Sequence, residues 1–279
     1  VGGYPGAACD VPSYTYLPFL DQTGFIPSKK YVNQTEIADY AERLADHCKI
    51  RDHIRLSRKV LDVTYLDTAT WQLTTWDTAN DCAAETITTA HVVCANGPLS
   101  SPRMPEIPGV DRFQGQSFHT ARWDYSVDLR GKRVGIIGTG ASAAQVITSI
   151  VDDVDTLTVF QRTPHWITPS RDYYRSVEDG IKWALNYLPG YAEWHRARMI
   201  FGFMDRNWSA VVEDPNWQHK DRSMNEQNDM IRESFTAYIS AQLGDRQDLL
   251  PKCVPDFPVY GKRPVIDNDW YKTLARDCL

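Results

Sequence analysis

The 279-residue sequence predicts an α/β fold built around a nucleotide-binding strand–turn–helix–strand unit. Three observations carry that expectation. A short apolar run, Arg133 to Ile137, leads directly into Gly138-Thr-Gly140-Ala-Ser-Ala143. A helical pattern then runs to about Val154, and a second short apolar run, Leu157 to Phe160, follows it. The composition is that of an ordinary globular chain, 42% hydrophobic and 24% charged, which argues against disorder.

Taken in order, residues 1–30 are rich in Gly, Pro and Tyr and read as loop. Thr35 to Cys48 reads as a helix, because Ile37, Tyr40, Ala41, Leu44 and Ala45 recur on one face. Ile54–Val60, Val63–Leu66 and Trp71–Trp76 read as strands of a meander, separated by Asp/Thr/Asn turn clusters, and Thr86–Ala95 as one more. Pro98, Pro102, Pro105 and Pro108 then mark a linker, since proline continues neither a helix nor a central strand. From Val177 to Leu243 the period is helical, broken at Pro189-Gly190. Met224, Ile231, Phe235, Tyr238 and Leu243 form an apolar stripe on the last helix, stopped by Gly244. Trp183, Tyr187, Tyr191, Trp194, Phe201 and Phe203 are expected in the core, the alternative being that some line a hydrophobic substrate channel.

Composition also excludes functions. The net charge of -6 disfavours broad binding to a phosphate backbone, so no nucleic-acid partner is expected. Apolar stretches such as Met199 to Met204 fall far short of the ~18 residues of a membrane span. The six cysteines contain no C-x-x-C pair and no zinc-finger spacing, so no metal site or redox dithiol is expected. Reduced thiols and the lack of a basic-then-apolar leader give an expected cytoplasmic location.

Gly138, Gly140 and Ala143 match the dinucleotide fingerprint. The first glycine permits the tight turn, the second lets a pyrophosphate approach the backbone, and the small third residue lets helix and strand pack closely. Enzymes that use NAD place Asp or Glu at the end of the second strand. This chain has Gln161-Arg162-Thr163 there, and the guanidinium fork of Arg162 suits a 2′-phosphate, which favours NADP.

Upstream of the fingerprint stands Phe113-Gln-Gly115-Gln-Ser-Phe-His119-Thr-Ala-Arg-Trp123-Asp124. With the Tyr4-Pro-Gly6…Cys9-Asp10 and Tyr260-Gly-Lys262-Arg263 segments, it resembles the signature of Baeyer–Villiger monooxygenases, in the flavin-containing monooxygenase superfamily. The likeness is greatest to the 4-hydroxyacetophenone monooxygenase type. It implies a two-dinucleotide-binding-domain flavoprotein: a partial FAD domain at 1–104, a linker at 105–130, and an NADPH Rossmann domain at 131–279 with a helical insertion at about 171–250. The missing FAD fingerprint makes an internal fragment the expectation.

The resemblance implies FAD and NADPH as cofactors and a small ketone and O2 as substrates. Oxygen would enter beside the carbonyl through a C4a-peroxyflavin, giving an ester or lactone. Gly138, Thr139, Gly140, Ser142, Ala143, Gln145, Arg162, Thr163 and Lys262 would bind NADPH. Tyr16, Val60 and Asp10 would lie at FAD. Arg263 would hold negative charge at the reacting oxygen, oriented by Asp10. His119 would couple linker motion to chemistry. The alternatives are an N- or S-oxidising flavin monooxygenase and a non-catalytic nucleotide-binding chain.

Overall fold

The computed structural model describes residues 3–97, 99 and 101–278, without the Phe203 side chain. Contacts divide the chain into two compact units, Val1–Tyr40 with Met104–Leu279, and Ala41–Arg103. Residues 1–40 thus pack with the block that carries the glycine turn, so the units cut the chain differently from the expected segments 1–104, 105–130 and 131–279. Of the four linker prolines, Pro98 lies outside the described residues.

Residues 1–40 are not all loop. They hold two one-turn helices, α1 (Ser13–Tyr16) and α2 (Leu20–Thr23), and the start of α3 (Gln34–His47). Asn33 caps α3 by accepting from the Glu36 backbone N–H at 2.9 Å. Ile37 and Tyr40 are buried, as their spacing predicts.

The smaller unit is an antiparallel meander of β1 (Arg58–Tyr65), β2 (Trp71–Asp77) and β3 (Cys82–Thr89). The expected separate strands Ile54–Val60 and Val63–Leu66 are in fact one. The register shifts between Val60 and Asp62, so Leu61 is the extra residue of a bulge, and the bulge interrupts the alternation without ending the strand. The last strand ends at Thr89 rather than Ala95. Its pairing is set from the Asp77–Cys82 turn, where Asp77 Oδ1 accepts from the Ala79 and Asn80 backbone N–H groups at 2.9 and 3.2 Å.

In the larger unit β4 (Arg133–Ile137) and β5 (Thr156–Phe160) pair in parallel, in register from Arg133↔Thr156 to Ile137↔Phe160. Parallel strands need a crossover, and α4 (Ala141–Ile150) supplies it. Its Ala144, Val146, Ile147 and Ile150 are buried and pack with Leu157 of β5. A second parallel pair, β6 (Ile167–Thr168) with β7 (Val265–Ile266), brings the 260s beside the segment that leaves β5.

The helical insertion comprises α5 (Asp179–Tyr187), α6 (Tyr191–Met204), α7 (Trp208–Val211) and α8 (Glu226–Leu243). Two short helices, α9 (Leu250–Cys253) and α10 (Trp270–Leu274), follow. Asn225 caps α8, and Met224 stands just before it. Ile231, Phe235 and Tyr238 pack on the core that Ile239 and Leu243 enter, as the stripe predicts.

The expected burial of the insertion's aromatics is corrected. Trp183, Tyr187, Trp194 and Phe201 are each more than half exposed, and the Phe203 side chain lies outside the described residues. The Pro189-Gly190 reversal, with Gly190 at φ 74°, folds α5 onto α6. α6 also meets α1, while the rings of Trp183, Tyr187, Trp194 and Phe201 stay largely uncovered.

Asp267 is 2% exposed and accepts from the Asp269 and Trp270 backbone N–H groups, both at 2.8 Å. Burial raises its pKa from 3.8 to about 6. Between about pH 4 and 6 the folded protein therefore keeps a proton that the unfolded chain has released. Stability should fall as pH rises through that window and level off above it, by roughly 2–3 kcal/mol for this group. Asp267→Asn retains the acceptor oxygen and should flatten this component. Urea midpoints of both proteins at pH 4 and pH 7 check it, and an equal pH response in both would refute the assignment.

Candidate functional site

The turn between β4 and α4 has the form of an anion cradle. Gly138 takes φ +107°, open to glycine and strained for other residues, and its N–H donates to the Phe160 carbonyl at 2.9 Å. Gly140 is the N-cap of α4 and offers no side chain to the first N–H groups of the helix. Those donors, with the positive end of the helix dipole, suit a phosphate. A Cβ added at Gly138 or Gly140 would meet nothing within 4 Å, so the space above the turn is open. Ala143 is buried at the helix–strand contact, as the third fingerprint position requires.

The loop leaving β5 closes on this turn. Thr139, 6% exposed, donates from its hydroxyl to the Thr163 carbonyl at 3.3 Å. Arg162, just before it, is exposed and makes no ion pair with the described residues. Lys262 is also exposed and lies over the Phe257 ring at 4.4 Å. The residues present therefore fit a dinucleotide carrying an extra phosphate: a cradle from Gly138 to Ala143 and exposed cations at Arg162 and Lys262.

Sequence reasoning missed His165. Its Nδ1 is buried without a hydrogen-bond partner among the described residues. Burial, and then the charge of Lys262, hold its pKa below the ordinary imidazole value. The signal was its place three residues after Arg162.

Gln145 was expected among the coenzyme contacts, but its side chain is occupied. It is 4% exposed. Its Oε1 accepts from the Tyr4 hydroxyl at 2.9 Å and, more distantly, from the Ala8 N–H at 3.4 Å. Its Nε2 donates to the Ala8 carbonyl at 3.0 Å. Gly6, at φ 75°, lies so close to α4 that a Cβ there would overlap the Ser149 hydroxyl and the Gln145 carbonyl. Gln145 thus clasps segment 4–8 to the nucleotide helix. Ser142, in the first turn of α4, is half-buried and lies near the Tyr4 hydroxyl.

That segment leads to Asp10, whose Oδ1 accepts from Arg263 at 2.6 Å. The pair spans 253 positions of sequence. Asp10 is the more buried partner, with its side chain 21% exposed against 63% for Arg263. The geometry is that of an anchored guanidinium with its free edge outward. Tyr16 is half exposed on α1, and Val60 is likewise half exposed in the smaller unit.

The signature segment has local reasons for its residues. A Cβ at Gly115 would strike the Phe113 ring. His119 Nδ1 accepts from the Ala121 N–H at 3.0 Å, so that nitrogen is spent on the turn itself. Trp123 meets Phe118 edge-on at 5.1 Å and packs on the core. Asp124 Oδ1 accepts from the Ser126 N–H and hydroxyl at 2.9 and 2.6 Å, which lowers its pKa. The Gly-x-Gly-x-x-[Gly/Ala] pattern occurs once in the sequence. The sequence thus carries one turn of the kind that cradles a dinucleotide's phosphates.

Comparison with known proteins agrees with this geometry. A Baeyer–Villiger monooxygenase of Streptomyces coelicolor is 34% identical over 278 residues, which cover 98% of this chain and 49% of that protein. The structure of a polycyclic ketone monooxygenase from Thermothelomyces thermophila matches with a TM-score of 0.84 at 27% identity, covering 99% of this chain and 50% of that one. OTEMO, in complex with FAD and NADP, matches with a TM-score of 0.80 at 26% identity, covering 99% and 57%. The chain thus spans about half the length of these relatives. No helix among the described residues is long and apolar enough to cross a membrane. The flavin-binding monooxygenase-like family model matches residues 9–230, from the segment that holds Asp10 through the glycine turn and into α8, and the chain belongs to that family.

Proposed function

We propose that this chain forms the coenzyme-binding part, and supplies the reaction-site cation, of an FAD- and NADPH-dependent monooxygenase of Baeyer–Villiger type. It would insert one oxygen atom of O2 beside a ketone carbonyl, giving an ester or lactone. The carrying observation is the Asp10–Arg263 pair, held in the same compact unit as the open Gly138–Ala143 turn. The relatives' names and bound cofactors support the reading. In the 4-hydroxyacetophenone-type reading, the ketones are aryl ketones. Free thiols at all six cysteines fit a cytoplasmic setting.

When bound, NADPH supplies a hydride and FAD passes the electrons to O2. Gly138, Thr139, Gly140, Ser142 and Ala143 would hold the pyrophosphate, and Arg162, Thr163 and Lys262 the 2′-phosphate side. Gln145 positions segment 4–8 rather than touching coenzyme. Arg263 stabilises the negative charge that grows on oxygen during attack on the carbonyl, and Asp10 keeps the guanidinium aimed. Residues 1–104 would face FAD with Tyr16 and Val60, while 131–279 would serve NADPH.

The test is incubation of the flavin-loaded full-length protein with NADPH, an aryl methyl ketone and isotopically labelled O2. Ester carrying one labelled oxygen is the expected product; oxidation of amines or sulfides with no ester would overturn the assignment. Coenzyme choice tests the Arg162 role separately. NADPH should be preferred over NADH by about tenfold or more. Arg162→Ala should remove most of that preference through a higher KM for NADPH, with little change for NADH. Equal use of both coenzymes by the unmutated enzyme would contradict it.

A further inference from the structure

A recess that shares no lining residue with the glycine turn lies among α1, the 172–178 segment, α5 and α6. Its volume is about 320 Å³, at the lower end of small-molecule sites. Rings form one wall. Tyr14 meets His195 edge-on at 4.8 Å, and Tyr191 stacks on His195 at 5.5 Å with planes 20° apart. Val177, Ile181 and Met199 add apolar surface.

Two polar groups here are left over. Tyr14 is only 6% exposed, yet its hydroxyl has no hydrogen-bond partner among the described residues. A buried hydroxyl in that condition costs stability that a polar ligand atom would recover. The second group is Arg198. Of the three cations that line the recess, Lys30 is paired with Asp172 at 3.5 Å and Arg175 with Glu178. Arg198 has no carboxylate partner among the described residues and lies over the Trp194 ring at 5.4 Å. His195 is held below its ordinary pKa by burial and by the charges of Arg198 and Lys30.

We propose that this recess binds a small monocarboxylate with an aromatic or alicyclic body. The body lies against Tyr14, Tyr191 and His195, the carboxylate serves Arg198, and an oxygen accepts from the Tyr14 hydroxyl. Charge selects the class. One guanidinium is free, while Asp172 and Glu178 also line the recess and would repel a dianion such as a phosphate monoester. The inference does not rest on the monooxygenase reading, because none of these residues belongs to the coenzyme cradle or the Asp10–Arg263 pair.

Titration calorimetry with benzoate and cyclohexanecarboxylate tests it, with benzyl alcohol and phenyl phosphate as controls. Both carboxylates should bind saturably, and benzyl alcohol about tenfold more weakly or not at all. Arg198→Gln and Tyr14→Phe should each weaken benzoate by about fivefold or more. Tyr14→Phe keeps the ring and removes only the unpartnered hydroxyl, so the fold should survive it; a circular dichroism spectrum confirms this. Absence of saturable carboxylate binding at millimolar concentration would overturn the proposal. So would unchanged affinity in both variants, or tighter binding of phenyl phosphate than of benzoate.

Discussion

Arg263→Ala, made in the full-length flavin-loaded protein, is expected to lower ester formation by about 10²–10³ while NADPH is still consumed, with hydrogen peroxide as the product. The reasoning starts from charge. Hydride delivery creates no oxyanion for Arg263 to hold, whereas attack on the carbonyl builds negative charge that only a fixed cation can meet. Asp10 Oδ1, 2.6 Å from the guanidinium, fixes that cation. Arg263→Lys should rescue poorly, because an ammonium cannot bond Asp10 and present a second planar edge at once. Asp10→Ala should give a milder defect of the same kind, since the charge survives and only its aim is lost. Rapid-mixing measurement of flavin reduction, paired with product analysis, separates the two half-reactions. An Arg263→Ala enzyme that makes ester at the unmutated rate would end the assignment; one that also fails at flavin reduction would point to a structural role instead.

The second large effect concerns stability. Trp166 is 1% exposed, and its indole N–H donates to the Phe257 carbonyl at 3.1 Å. Arg232 lies over its ring at 5.1 Å and Phe235 beside it at 6.1 Å. Trp166→Ala should cost about 3–5 kcal/mol, combining the lost burial with the cavity left behind. Arg232 would keep its bonds to the Pro255 and Phe257 carbonyls, at 2.8 and 3.2 Å, but lose the ring beneath it. Trp183→Ala is the matched control. Trp183 is 58% exposed, and its loss should fall within about 0.5 kcal/mol of zero. Urea midpoints at constant m decide between them, and equal shifts would mean that the core has been misplaced.

The nucleotide unit was legible because its information is local. Strand, glycine turn and helix follow one another within eighteen residues, and each obeys its own propensity, so β4 emerges at Arg133–Ile137 as expected. What escaped was long-range or two-sided. The partners of Gln145 lie 137 and 141 positions away, and no pattern near it announces them. A helical fingerprint glutamine looks the same in sequence whether it faces a ligand or another stretch of chain. Leu61 looked like a gap between two strands because a bulge and a break both spoil alternation. The aromatics of α5 and α6 were misjudged because hydrophobicity says that a ring favours burial, not whether enough neighbours exist to cover it. Asp10 and Arg263 were paired only through resemblance, since a separation of 253 positions leaves no trace of the contact in either segment.

The clasp formed by Gln145 has a practical consequence for anyone redesigning coenzyme choice. Transplanting a cassette that runs from β4 through Thr163 from an NADH enzyme looks modular, since Lys262 alone of the residues proposed to touch coenzyme lies outside it. The back of the cassette is also a mounting plate. A donor helix without glutamine at position 145 would strand the Tyr4 hydroxyl and the Ala8 backbone, and a bulkier residue at 149 would collide with Gly6. Released, segment 4–8 would no longer hold Asp10 in place, and the chimaera would lose oxygenation through a part of the protein that the graft never touched. A workable exchange keeps positions 145 and 149 from the host and varies only the turn and the residues around Arg162.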